Sequence, residues 1–160
     1  MKRFIVAAAA MLSVAAVAVP AVVVTAGQAG ASSAGAQFTT DRQTLNAASG
    51  AFVQAFEAWQ GSGKAFSTTS SFAGKYVSAI VSEDHKLLMQ SWPSGAKADI
   101  DNLVRGDAAV EGVVGSLPVL PSSTTSESEW FITYDQDVSS AVGDANIVRA
   151  DLGLPLASTS

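Results

Sequence analysis

The 160-residue sequence contains no cysteine and only one histidine, His85. Without cysteine there can be no disulfide, no thiolate metal site and no lipid-acylated lipoprotein cysteine. Basic residues are also few, with nine lysines and arginines against fourteen aspartates and glutamates. An acidic surface repels phosphate backbones and anionic headgroups, so the composition argues against nucleic-acid binding and against electrostatic docking on a membrane.

The first 36 residues predict a secretory signal peptide. Residues 2–3 are basic, residues 4–26 carry no charge, and small residues follow. Signal peptidase requires small side chains at the first and third positions before the cut, which predicts cleavage after Ala36 or, alternatively, after Ala31. An uncleaved segment would anchor the protein in a membrane through residues 4–26, because about 20 apolar residues can cross a bilayer. Either outcome predicts a secreted or otherwise extracytoplasmic domain.

Four segments with helical periodicity follow the signal, at about residues 41–60, 70–91, 94–117 and 126–152. Their apolar side chains recur at steps of three and four, which places them on one stripe of each helix. Arg42 is predicted to lie outside the first stripe. The first stripe consists of Leu45, Ala48, Phe52, Ala55, Phe56 and Trp59, and the second of Phe72, Tyr76, Val77, Ile80, Leu87 and Leu88. The third consists of Ile100, Leu103, Val110, Val114 and Leu117, and the fourth of Trp130, Tyr134, Val138, Ala141, Ala145, Val148 and Leu152.

The ends of these segments carry recognisable signals. Pro93 predicts the end of the second helix, because the residue before proline is pushed out of the helical region. Ser126 and Glu129 have the spacing of a capping box at the start of the fourth helix, and Gly153 favours a left-handed cap at its end. Together the segments predict an all-α fold, an antiparallel up-down four-helix bundle over residues 37–156, with a disordered tail at 157–160.

Asp107 is the unusual residue of the third stripe, because a carboxylate stands where an apolar side chain is expected. A buried carboxylate must be partnered, protonated or placed at a wet edge. In an antiparallel bundle Tyr76 and Tyr134 lie at about the same level, so we expect one or both phenols to donate a hydrogen bond to Asp107. Such a group would be either a structural register device or the polar end of a small ligand pocket.

Other residues that suggest chemistry fail the pattern tests. His85 lies on the polar side of its helix, which indicates a solvated side chain. One histidine cannot supply the two Glu-x-x-His motifs of a di-iron bundle. The Asp-x-Asp pairs at 99–101 and 135–137 lack the glycine and glutamate of a calcium loop. The sequence thus predicts no metal, no cofactor and no catalytic residue. The tryptophans Trp59, Trp92 and Trp130 are expected to cap the core rather than stack on a ligand.

Two stretches resemble small helical secreted proteins of high-GC Gram-positive (actinobacterial) bacteria. One is the ending Ala145-Asn146-Ile147-Val148-Arg149-Ala150-Asp151-Leu152-Gly153-Leu154-Pro155, which contains the sequence VRADLGLP. The other is Trp92-Pro93 followed by Ala98-Asp99-Ile100-Asp101-Asn102-Leu103-Val104. The resemblance covers roughly the last half of the chain and implies a helical fold and an exported location. It transfers no functional residue, because those relatives have no established activity.

The sequence predicts a binding or interaction module rather than an enzyme. Its partner would be a protein or small molecule of the cell envelope, and a membrane only if the signal stays uncleaved. The alternative is a carrier that holds a small ligand or metal in a bundle-core pocket near Asp107, Tyr76 and Tyr134. A core cavity of roughly 300 Å³ or more would favour the carrier over a surface interaction.

Overall fold

The chain folds into four α-helices joined by short connections. The structure, a computed structural model, describes residues 29–60 and 62–157, with side chains from residue 33 onward. The helices are α1 (Ala29–Gln60), α2 (Ser70–Met89), α3 (Ser94–Ser116) and α4 (Thr124–Asp151). Two 3-10 turns, Phe66–Thr69 and Leu117–Val119, precede α2 and follow α3. The described ranges contain no strand, and the all-α prediction is confirmed.

Two hydrophobic clusters fill the interior. The aromatic cluster takes its side chains from the second half of α1 and α3 and the first half of α2 and α4. It includes Leu45, Phe52, Phe56, Trp59, Phe66, Tyr76, Ile80, Val110, Val114, Leu117, Trp130 and Ala141. The aliphatic cluster is built from the opposite halves and comprises Phe38, Leu87, Ala96, Ile100, Leu103, Ala145, Val148 and Leu152. Starts of α1 and α3 thus pack with ends of α2 and α4, so successive helices run antiparallel.

Helix α1 begins well before the predicted start at residue 41. Phe38 is completely buried in the aliphatic cluster, and the Thr39 hydroxyl donates to the Gly35 carbonyl at 2.9 Å, one turn earlier. Apolar packing therefore holds the helix in the turn before Asp41. The predicted boundary between signal and domain, after Ala36, falls inside this continuous helix. Residues 1–28, which include the uncharged stretch, lie outside the described residues.

The cap at the start of α4 differs from the predicted one, and the cap at its end is confirmed. The side chain of Ser123, rather than Ser126, caps the start and accepts the Ser126 backbone N–H at 3.1 Å. At the other end Gly153 has φ +68°, as the left-handed cap requires. The Leu154 N–H donates to the Arg149 carbonyl at 2.8 Å, which completes the turn and directs Leu154 back onto the aliphatic cluster.

Two further expectations are modified by the packing. Leu88, predicted as core, is 57% exposed, because Leu87 turns into the aliphatic cluster and takes the place on that side of α2. Ala157, predicted to begin a disordered tail, donates its backbone N–H to Asn146 Oδ1 at 2.8 Å, and residues 158–160 lie outside the described residues. No described helix is long and apolar enough to span a bilayer.

Candidate functional site: a buried charge layer

A layer of charged side chains separates the aromatic from the aliphatic cluster. It consists of Arg42 on α1, Glu83 and Asp84 on α2, and Asp107 on α3, and we call these four residues the charge layer. On each helix these positions fall between the last residue of one cluster and the first of the other. Three carboxyl groups thus share one guanidinium in the middle of a bundle, where apolar side chains are expected.

Arg42 joins three helices through a single nitrogen. Its Nη1 atom lies 2.7 Å from Asp107 Oδ2, with hydrogen-bond geometry, and 3.0 Å from Glu83 Oε1. The Arg42 side chain is only 11% exposed. Burial opposes its charge, but the two carboxylates outweigh that effect and the pKa of Arg42 is raised. Arg42 is therefore the cation that makes the buried carboxylates tolerable.

Glu83 is buried but poorly satisfied. It is 2% exposed, and neither of its carboxylate oxygens has a hydrogen-bond partner. Among the described residues its ion-pair partner is Arg42, which Asp107 shares. Burial raises the pKa of Glu83 to about 8, with Arg42 lowering it and the nearby Asp107 raising it further. A glutamate in this setting holds its proton at neutral pH.

Asp84 and Asp107 interact as a carboxyl pair. Burial, followed by the charge of Asp107, raises the pKa of the half-buried Asp84 to about 7, and Glu111 adds to the shift. Burial also raises the pKa of Asp107, while Arg42 acts against it and Asp144 on α4 acts with it. A hydrogen bond between the two carboxyls favours the proton on Asp84 and the negative charge on Asp107. Asp107 is thus the natural ion-pair partner of Arg42.

Asp41, which precedes Arg42 on α1, shows how a buried carboxylate can be satisfied by hydrogen bonds. It is 5% exposed and accepts hydrogen bonds from Gln37 Nε2 at 3.0 and 3.2 Å and from Gln90 Nε2 at 2.6 Å. These amide donors come from α1 itself and from the end of α2. The contrast with Glu83, whose oxygens have no such donors, marks the charge layer as an electrostatically frustrated part of the core.

Helices α3 and α4 approach each other closely at Gly106, the residue before Asp107. A Cβ atom built on Gly106 would lie 2.9 Å from Asp144 Oδ2 and 3.3 Å from the Cα atom of Ala141. The second contact is to backbone, which cannot move aside cheaply. Glycine at 106 therefore allows the backbones to pack at the level where Asp107 turns into the bundle.

The predicted site residues have different surroundings. Asp107 is 2% exposed, and its nearest described donor is Arg42 rather than a phenol. Tyr76, 5% exposed, borders the charge layer: it interacts electrostatically with Asp107, Arg42 and Glu83 and makes a polar contact with Ser49. Tyr134 lies within the aromatic cluster, its ring stacked on Trp130 at 5.1 Å and 7°. The structure thus puts Tyr76 beside Asp107 and Tyr134 among aromatic rings.

Sequence reasoning missed three members of the charge layer, Arg42, Glu83 and Asp84. Arg42 lies four residues after Phe38 and three before Leu45, on the buried stripe, and Glu83 lies three after Ile80 and four before Leu87. In both cases the three- and four-residue spacing to apolar neighbours indicates a buried position. For Arg42 this spacing was not recognised, because the predicted helix began at Asp41 and did not include Phe38.

The remaining candidates lie away from the layer. His85 is exposed on α2, as the sequence indicated. Trp59 and Trp130 are buried, which confirms their core assignment, and Trp92 is half-buried. Arg149 donates from Nε to the Pro155 carbonyl at 2.6 Å. Among the described residues, no three histidine or acidic side chains are grouped so that they could hold a metal ion.

A surface depression lies between the end of α3 and the first half of α4. It has a volume of about 510 Å³, and its lining includes Val113 and Trp130. The indole N–H of Trp130 donates to the Val113 carbonyl at 2.7 Å, so the ring offers only its apolar surface. The lining is completed by Ser116, Leu120, Pro121, Ser126, Glu129, Thr133 and Asp137. We call this feature the Trp130 groove.

Comparison with known proteins supplies no assignment. No family model, curated protein or solved structure matches this chain.

Proposed function

We propose that this chain is an exported four-helix bundle that acts as a binding module and takes a cationic partner through the Trp130 groove. The observation that supports this most directly is the composition of the groove. Its lining includes the apolar side chains of Val113, Leu120 and Trp130. Glu129 and Asp137 add two carboxylates, and no basic residue is among the lining side chains. A peptide segment that combines an apolar side chain with flanking lysines or arginines complements both properties.

The carrier alternative has less support because the protein occupies its own core site. Asp107 would anchor a ligand there, but Arg42 already reaches it at 2.7 Å and also pairs with Glu83 at 3.0 Å. A cationic ligand would have to displace a guanidinium that is itself buried. Surface recognition therefore fits the geometry better than transport in the core.

Export is the second part of the proposal and depends on the N-terminal sequence. A basic start, an uncharged stretch and small residues before two possible cuts are the features of a secretory signal. The acidic composition of the remaining chain suits a partner of opposite charge in the envelope or medium. The resemblance to secreted proteins of high-GC Gram-positive bacteria agrees with this location.

Peptide titration followed by ¹H–¹⁵N NMR tests the groove. The probes are a hexalysine peptide and the same peptide with one central leucine, at low ionic strength. We expect the leucine peptide to bind more tightly and to shift the Trp130 indole signal and the amide signals of Ser126 and Thr133. Asp137→Asn should weaken binding by roughly two- to fivefold, the range for an exposed charge pair.

Asp135→Asn is the matched control, because it removes the same charge from an exposed position two residues away that does not line the groove. Equal weakening by the two variants, or shifts spread over the whole acidic surface, would show diffuse attraction and reject the groove. Intact-mass measurement of protein recovered from the medium tests export separately. A start at Gln37 or Ser32 supports a cleaved signal, whereas a full-length mass found only in the cytoplasm rejects export.

A further inference from the structure

We propose that the charge layer is a proton-operated latch, in which protons on Glu83 and Asp84 keep the layer neutral and their loss loosens α2 from α1 and α3. The proposal does not depend on the Trp130 groove. It starts from the excess of acid in a buried place: with all groups ionised, three carboxylates would face one guanidinium. Such an excess must be relieved by protons, by a bound cation or by movement of the helices.

The geometry favours protons, rather than a bound cation, as the means of relieving this excess of negative charge. Both oxygens of Glu83 and the Oδ1 atom of Asp84 are buried without a hydrogen-bond partner. The described residues provide no cluster able to hold a metal, and the guanidinium of Arg42 already fills the centre of the layer. A proton needs no further space. With Glu83 and Asp84 protonated, Arg42 and Asp107 remain as one compensated ion pair.

The surroundings of Glu83 and Asp84 oppose ionisation from almost every side. Among the described residues, Arg42 of α1 is the cation that acts on both groups. The other groups that act on them or on their neighbours are negative or become so on titration. These groups are Tyr76 on α2, Asp107 and Glu111 on α3, and Asp144 on α4, which acts on Asp107. Each carboxyl that loses its proton therefore makes retention of the next proton more favourable, and the layer titrates as a coupled unit.

The sign of the pH effect follows from these raised values. A carboxyl whose pKa is higher in the folded state binds more protons when folded, so it stabilises the fold fully at pH values below its unfolded pKa. That stability is lost as the pH rises toward the folded pKa values, about 7 for Asp84 and about 8 for Glu83. The loss begins above the unfolded pKa values of about 4 and is complete above the folded values, so the bundle should be more stable at pH 5.5 than at pH 8.5.

Thermal unfolding of the full chain and its variants tests the latch. We expect the Tm of the wild type to fall by about 5–10 °C between pH 5.5 and pH 8.5. Glu83→Gln, which mimics the protonated side chain, should remove at least half of this fall and raise the Tm at pH 8.5. Glu57→Gln on the exposed face of α1 is the control and should leave the fall unchanged. A Glu83→Gln variant with the same fall as the wild type would overturn the proposal.

A direct titration keeps the test independent of how the variants fold. The side-chain carboxyl ¹³C signal of Glu83 in the wild-type protein should titrate with a midpoint above pH 6.5. A midpoint near the ordinary glutamate value of about 4.3 would also overturn the proposal. Hydrogen exchange locates the loosening: amides of residues 80–88 in α2 should exchange at least tenfold faster at pH 8.5 than at pH 5.5 after correction for intrinsic rates. Equal corrected exchange rates at the two pH values would refute the movement of α2.

Discussion

The aromatic cluster and the charge layer hold the same four helices together in opposite ways. In the aromatic cluster the rings of Phe52, Phe56, Tyr76, Trp130 and Tyr134 lie within 5.1–5.9 Å of their ring neighbours, and their packing does not depend on the state of a proton. In the charge layer one arginine compensates several acids, so its contribution depends on pH. The difference indicates that stability is permanent in one region and conditional in the region beside it.

Removing the cation should have the largest effect and would turn the charge layer from conditional to unfavourable. Arg42→Met keeps the length and apolar stem of the side chain but leaves Asp107 and Glu83 without a positive partner. We expect a loss of about 3–5 kcal/mol in the free energy of unfolding, measured by urea denaturation. The loss should be larger at pH 8.5 than at pH 5.5, because the unpaired carboxyls can take up protons in acid.

Two controls separate this effect from general packing loss. Arg105→Met removes an exposed arginine of α3 and should change the stability by less than about 0.5 kcal/mol. Phe52→Leu, in the aromatic cluster, should cost about 1–2 kcal/mol and cost the same at both pH values. If Arg42→Met showed no pH dependence, the proposed contrast between the two regions would fail.

A substitution at Gly106 should have an intermediate effect and tests how tightly the helices pack beside the charge layer. Gly106→Ala places a methyl group 3.3 Å from the Cα atom of Ala141, and we expect it to destabilise the protein by about 1–2 kcal/mol. Gly112→Ala, six residues later on the same helix, has no neighbour within 4 Å and should stabilise by about 0.5–1 kcal/mol through helix propensity. Stabilisation by both alanines would show that α3 and α4 are less closely packed than described.

The smallest effect distinguishes the two tyrosines that the sequence grouped with Asp107. Tyr76→Phe removes a hydroxyl that contacts Ser49 and borders the charge layer, and should cost about 1 kcal/mol while altering the pH dependence. Tyr134→Phe keeps the ring that stacks on Trp130 and should change the stability by less than about 0.5 kcal/mol at every pH. Thermal unfolding at several pH values measures both. Equal, pH-dependent losses would restore Tyr134 to the neighbourhood of Asp107.

Most of the fold was readable from the sequence because apolar spacing and helix ends are local signals. Four stripes, the stop at Pro93 and the left-handed Gly153 were all found in this way. Of the four residues in the charge layer, only Asp107 was readable. Asp107 stood out because it interrupts a stripe, whereas its partner Arg42 lies 65 positions earlier in the chain. Pairing between helices depends on their rotation and vertical alignment, which no local pattern fixes.

The contact between Gly35 and Leu154 has a consequence for the order in which the molecule can be completed. A Cβ atom at Gly35 would lie 3.0 Å from Leu154 Cδ2, so the start of α1 rests against residues that follow α4. Because the chain is synthesised from its amino end, nearly all of its residues must be made before α1 can finish packing. Until then the aliphatic cluster, which buries Phe38 completely in the finished structure, lacks Val148 and Leu152.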